Sequence, residues 1–180
     1  HAAIHNQCEL QLAQQAQQKA KDPQVKQLAQ QIMQDHQQMS RQLQQTAQKL
    51  QVQLPQGIPM MKQQEIQILT ALQGEDFDKA FVEHMQAAHA MDVTMFQSKS
   101  QTAKSDDVRQ FASQALPKLQ QHMQHVETTA TALGLPSGME AMTAGARSGS
   151  RPGLRGSGRS SGSSSGGLDS SGSGRSSDRD

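Results

Sequence analysis

Ala20-Lys21-Asp22-Pro23-Gln24-Val25-Lys26-Gln27-Leu28-Ala29-Gln30-Gln31 returns, diverged, as Ala103-Lys104-Ser105-Asp106-Asp107-Val108-Arg109-Gln110-Phe111-Ala112-Ser113-Gln114. The offset is constant at 83 residues, Val25 falling on Val108 and Ala29 on Ala112. Each copy opens on a helix-start signal. Asp22 is an N-cap with Pro23 at the first helical position, where a missing N–H costs nothing, and Ser105 occupies the equivalent place. At the same offset Glu9 falls on Asp92 and Asn6 on His89. Two copies of a helical hairpin are therefore expected to face each other, with polar groups at the shared seam.

Working outward from the two turns, the apolar spacing is helical throughout. Val25, Ala29, Ile32, His36, Met39, Leu43, Thr46 and Leu50 follow alternating steps of four and three, the seam of a helix packed nearly parallel to its neighbours. Val108, Ala112, Ala115, Leu119, His122, Val126, Thr129 and Leu133 repeat that seam. Residues 1–21 lack Gly and Pro and are rich in Ala, Gln and Leu, which suits a helix. The helix expected over about 77–103 carries two apolar stripes. One holds Phe77, Phe81, His84, Ala88, Met91 and Met95, and the other holds Val82, Met85, His89, Asp92 and Phe96. The reading is all-α, a four-helix bundle of two antiparallel hairpins, about 2–21 with 24–52 and 77–103 with 106–133. A short amphipathic helix at 60–73 lies between them, ended by Gly74, with Asp76 expected to cap the helix that follows. Pro117 should bend the last helix about a turn before His122.

Composition narrows the function. The chain has 180 residues, 33% of them hydrophobic, with no Trp or Tyr and a formal net charge of +1. That balance gives no electrostatic case for nucleic acid or an anionic membrane, and no apolar run approaches the ~20 residues that span a bilayer. Envelope association and a homo-oligomer are both compatible with the sequence. The bundle should occupy 1–143, and 144–180, nearly all Ser, Gly, Arg and Asp, should form a disordered tail. A chain opening on His1 fits removal of a secretory signal, and equally a trimmed chain. The single cysteine, Cys8, reads as a small buried hydrophobe, with a soft metal ligand beside Glu9 as the alternative.

The histidines and carboxylates carry the functional expectation. Glu9 lies 13 residues before Asp22 and His36 lies 14 after it; His89 lies 16 before Ser105 and His122 lies 17 after it. At ~1.5 Å rise per residue these groups share a level if the two hairpins place their turns at the same end. Asp92 is three residues beyond His89, on the same face. Burying so many polar groups at one depth calls for a joint reason. One is a hydrogen-bonded layer that fixes register. The other is a transition-metal site (iron, zinc or copper) with Glu9, His36, His89, Asp92 and His122 as ligands. Methionines are expected around this level (Met33, Met39, Met85, Met91, Met95, Met123), as core filler or, less favoured, as partners for copper. A hydrolase is a poor fit, because serine is concentrated in the tail, no nucleophile motif occurs and Cys8 has no convincing partner.

Asn6-x-x-Glu9, Asp35-His36, Phe77-Asp78 followed by His89, and Leu116-Pro117-x-x-x-x-His122 together resemble a bacterial ferritin-like family built on a domain of unknown function, whose members are labelled outer-membrane or exported proteins. The resemblance covers residues 1 to about 134. It implies a ferritin-like bundle and export to the periplasm or envelope, without an activity. Di-iron ferritins use a Glu-x-x-His motif on each of two helices, and this chain contains none. The expected function is thus an exported metal-binding bundle without a di-iron ferroxidase centre. The rival is a metal-free envelope or stress-related interaction protein.

Overall fold

A computed structural model of the chain describes residues 1–138, and among them the regular structure is entirely helical. The five helices are α1 (Ala2–Lys19), α2 (Pro23–Lys49), α3 (Met60–Ala71), α4 (Gly74–Thr102) and α5 (Asp106–Ala132). The predicted tail boundary at 143/144 lies outside the described residues.

Both repeat turns behave as their sequences require. The Asp22 carboxylate accepts from the backbone N–H of Gln24 at 2.7 Å and of Val25 at 3.4 Å, and Ser105 Oγ accepts from Val108 N–H at 3.5 Å. Asp76 is no cap. α4 begins at Gly74, whose φ of +60° suits glycine, directly after the extended Leu72 and Gln73. Glu75 and Asp76 sit instead in its first turn, where carboxylates favour the positive end of the helix dipole. α5 runs unbroken through Pro117, which lies on its exposed side.

α1 packs on α2, α2 on α5, α5 on α4 and α4 on α1, closing a four-helix ring, while α3 lies against α1 and α4. The backbone N–H groups of Lys21 and Asp22, just past α1, donate to the Asp78 carboxylate near the start of α4 (2.7–3.1 Å). Lys49 at the end of α2 pairs with Asp107 at the start of α5 (3.5 Å). The two repeat turns therefore sit at opposite ends of the bundle, not at the same end as the depth reckoning assumed. α2 and α4 run the same way, so residues 50–73 must carry the chain back along the bundle. α3 makes up half of that crossover, held by buried Ile66 and Leu69 and by Lys19, whose ammonium meets the Thr70 carbonyl and lies 5.3 Å from the centre of the Phe77 ring.

Turns at opposite ends turn the internal repeat into an approximate two-fold axis perpendicular to the bundle, exchanging α1 with α4 and α2 with α5. Asp35 and Lys118 are 83 residues apart and form an ion pair with each other. Glu9 and Asp92, also 83 apart, are neighbours. A residue that touches its own repeat mate lies on the axis, and the polar centre is therefore built around it.

Leu12, Ile32, Phe77, Phe81, Val82, Met85 and Leu119 are fully buried. On α4 the stripe of Val82, Met85, His89, Asp92 and Phe96 is buried throughout; the other stripe ends on the surface, with Met91 58% exposed. Met91 is therefore not core filler at the histidine level.

Asp78 is 1% exposed and its carboxylate accepts all three hydrogen bonds from the first turn. Asp78→Ala should cost about 2–3 kcal/mol, because two N–H groups are left without a partner in a closed corner. A urea midpoint within experimental error of wild type would show that water replaces the carboxylate.

Candidate metal centre

Glu9 comes from α1, His36 from α2, His89 and Asp92 from α4, and His122 from α5. His36, His89 and His122 are 0% exposed, Glu9 1% and Asp92 3%. These groups come close together although the two turns lie at opposite ends of the bundle. Each group lies near the middle of its helix, and reversing a hairpin end for end leaves the middle where it was.

One donor nitrogen from each of His36, His89 and His122 falls within 4.8 Å of the others. His89 Nε2 and His122 Nδ1 are 3.3 Å apart. The Glu9 carboxylate borders the cluster, with Oε2 3.1 Å from His36 Nδ1 and 4.0 Å from His89 Nε2. Although that 3.1 Å approach is short, neither Glu9 oxygen and neither His36 nitrogen makes a hydrogen bond. Asp92 is placed differently from the other four. Its Oδ1 takes a hydrogen bond from Nδ1 of the half-buried His5 at 2.9 Å, and it stands beside Glu9 rather than among the imidazoles.

The partners of two rings determine their tautomers. His89 Nδ1–H donates to the Met85 carbonyl at 3.0 Å, leaving Nε2 as a lone pair. His122 Nε2–H donates to Asp35 Oδ2 at 2.9 Å, leaving Nδ1 as a lone pair. Two lone pairs then face each other across 3.3 Å. If a neutral His122 turned its proton towards His89, its other lone pair would face the Asp35 carboxylate. A neutral pair cannot satisfy both contacts; a His122 imidazolium or a metal ion between the rings can. An imidazole that gives its second N–H to a carbonyl or carboxylate is also the usual arrangement of a metal-bound histidine.

Electrostatics keeps the rings neutral. Burial, reinforced by His89 and His122, holds His36 well below the ordinary histidine range. Burial and then His122 bring His89 down to about 4. For His122, burial outweighs the opposing pull of Asp35 and the pKa is lowered. Burial, followed by the charge of Asp92, pushes the Glu9 carboxyl well above the usual carboxylate value. Asp35 goes the other way: burial alone would raise it, but hydrogen bonds from Lys118 and His122 outweigh burial and keep it low. The three neutral imidazoles offer lone pairs, while the Glu9 carboxyl favours its protonated form and gives up that proton to serve as a ligand.

Three supporting residues stand outside the expected ligand set. Lys118 pairs with Asp35, which holds His122. Asn6 Nδ2–H donates to the His36 carbonyl at 3.1 Å, tying α1 to α2 at this level. Asp35 and Lys118 were detectable, since the repeat offset that maps Glu9 on Asp92 also maps one onto the other.

A family model described as "Domain of unknown function (DUF4142)" matches residues 1–129. The chain belongs to the DUF4142 family. No curated protein matches the chain. Among solved structures, a DUF305 protein of Streptomyces coelicolor, designated a secreted protein, superposes with a TM-score of 0.64. Its identity is 14%, over 76% of this chain and 89% of the other. At that identity the likeness concerns the fold alone, and it places this DUF4142 chain among small helical bundles. Among the described residues no helix is long and apolar enough to cross a membrane.

Proposed function

We propose that this DUF4142 protein is an exported bundle that holds one transition-metal ion, iron, zinc or copper, between His36, His89, His122 and Glu9. Asp92 stands outside that set, beside Glu9 and hydrogen-bonded to His5. The observation that carries the reading is the facing pair of lone pairs on His89 and His122, beside a Glu9 carboxyl with no hydrogen-bond partner. A bound ion takes up all of these donors, and three imidazoles with one carboxylate suit a borderline divalent cation. The three imidazole donors lie within 4.8 Å of one another, close to the span that bonds of ~2.0–2.2 Å to a common centre allow, and Glu9 Oε2 borders them 3.1 Å from His36 Nδ1 and 4.0 Å from His89 Nε2.

The single long crossover between α2 and α4 is a connectivity found in ferritin-like bundles and supports that classification. The absence of Glu-x-x-His speaks against a di-iron ferroxidase centre, leaving binding, buffering or sensing of a single ion. Export is supported by the designation of the Streptomyces coelicolor protein as secreted. The Asp35–Lys118–His122 and His5–Asp92 links favour a second reading, a metal-free polar layer that fixes register.

Elemental analysis of protein purified without a histidine tag separates the two. One ion per chain is expected in the wild type, and none in the His36→Ala/His122→Ala double variant. Equal metal content in both proteins, or none in the wild type after incubation with iron, zinc and copper in turn, would leave the polar layer as the explanation.

A further inference from the structure

Between α1, α3 and α4 opens a cavity of about 260 Å3, whose wall includes His5, Cys8, Glu9, Lys62, His84 and Met91. Its mouth is exposed: Met91 is 58% accessible, and the Lys62–Glu65 pair (2.6 Å) has nearly half its side-chain surface in solvent. Its floor is buried, formed by Cys8 and by Glu9 at 1% exposure. Glu9 therefore belongs to two places at once. Its carboxyl lines this cavity and lies 3.1 Å from His36 Nδ1 in the interior cluster, with both oxygens free of hydrogen bonds.

The other donors in the wall are a thiol, two imidazoles and a thioether. Cys8 is the only cysteine of the chain. It lies within electrostatic reach of Glu9 and Lys62, and His84 within reach of His5 and Lys62. Thiolate and thioether donors prefer soft cations. The wall carries an exposed thioether at the rim and the Glu9 carboxyl at its buried end, and Glu9 Oε2 lies 3.1 Å from His36 Nδ1 and 4.0 Å from His89 Nε2.

We infer that this cavity captures a soft cation of the copper(I) class at Cys8 and His84 and passes it along Glu9 to the histidine triad. Rim, floor and triad form one path, with α3 as its outer wall. The route rests on the interior metal reading; the capture site stands on its own donors.

Copper(I), held reduced under anaerobic conditions, is the probe, and alkylation of Cys8 by iodoacetamide is the readout. One equivalent of copper(I) should slow alkylation of the wild type at least ten-fold, and equally in His36→Ala/His122→Ala, where the cavity is intact. His84→Ala should lose most of that protection. Absence of protection, or protection undiminished by His84→Ala, would overturn the capture site, the latter showing Cys8 acting as a lone thiol. Wild-type protein already alkylated at Cys8, which needs no substitution, should draw copper(I) from its coloured bicinchoninate complex at least ten times more slowly. An unchanged rate would overturn the route. If His36→Ala/His122→Ala takes up as much copper as wild type while Cys8 is still protected, the interior reading fails and the capture site stands.

Discussion

Lowering the pH from 7 to 4 without metal should destabilise the bundle by about 3 kcal/mol through His89 alone, with further loss from the other rings. The folded-state pKa of His89 is about 4 against an ordinary 6.5. Below pH 6.5 the unfolded chain takes up a proton that the folded chain refuses, so stability falls until the pH nears 4. The full shift of 2.5 units at about 1.4 kcal/mol each is about 3.5 kcal/mol, of which about 3 is lost by pH 4, where the folded ring is itself half protonated. His36 and His122 shift the same way. Glu9 opposes them: its folded pKa is raised, so stability that is missing above that value returns as the pH falls towards 4.5. Glu9→Gln removes that opposing contribution, so the profile of this variant isolates the three imidazoles. Urea midpoints at half-unit steps should trace the decline, and His89→Gln should flatten part of it. A level profile from 7 to 4.5 in the wild type would show that the rings are not held neutral.

Zinc at 100 times its dissociation constant should raise wild-type stability by about 2.7 kcal/mol, roughly 5–10 °C in melting temperature for a chain of this size. Glu9→Gln isolates the carboxylate. Its amide can donate to the unpartnered His36 nitrogen 3.1 Å away from Glu9 Oε2, so the metal-free variant should be at least as stable as wild type at pH 7. A hundred-fold loss of affinity would leave only about 0.4 kcal/mol of stabilisation at the same zinc concentration. Full retention of the zinc effect would remove Glu9 from the ligand set. Calorimetric melting of both proteins with and without zinc decides this.

These outcomes turn on residues whose legibility in the sequence differed for physical reasons. The helices and their two repeat caps followed from local chemistry, because spacing by three and four and a Pro at the first helical position depend on near neighbours. The sense in which the second hairpin enters the bundle did not, since the length of the 50–73 connection permits either direction. The depth of the histidines survived that ambiguity only because they sit mid-helix. Asp92 was expected among the ligands from its spacing to His89, but a helix face is broad. At three residues' remove the side chain reaches His5 and Glu9 instead of the imidazoles. Asp35, quoted beside His36 in the family motif, lies one position from the seam and was given no role, although a flanking residue can lean across a helix interface and orient the ring opposite.

The near-symmetry of the two hairpins gives the centre a property that no self-assembled hairpin could have. Were one hairpin to pair with an identical copy, every group on the axis would occur twice, two glutamates facing each other and two histidines at the level of His36. In a single chain the mates diverge: His36 is matched by Leu119, His122 by Met39, His89 by Asn6, and Asp35 by its countercharge Lys118. Joining the halves covalently lets a symmetric scaffold enclose a lopsided set of donors, nitrogen-rich on one flank and acidic on the other.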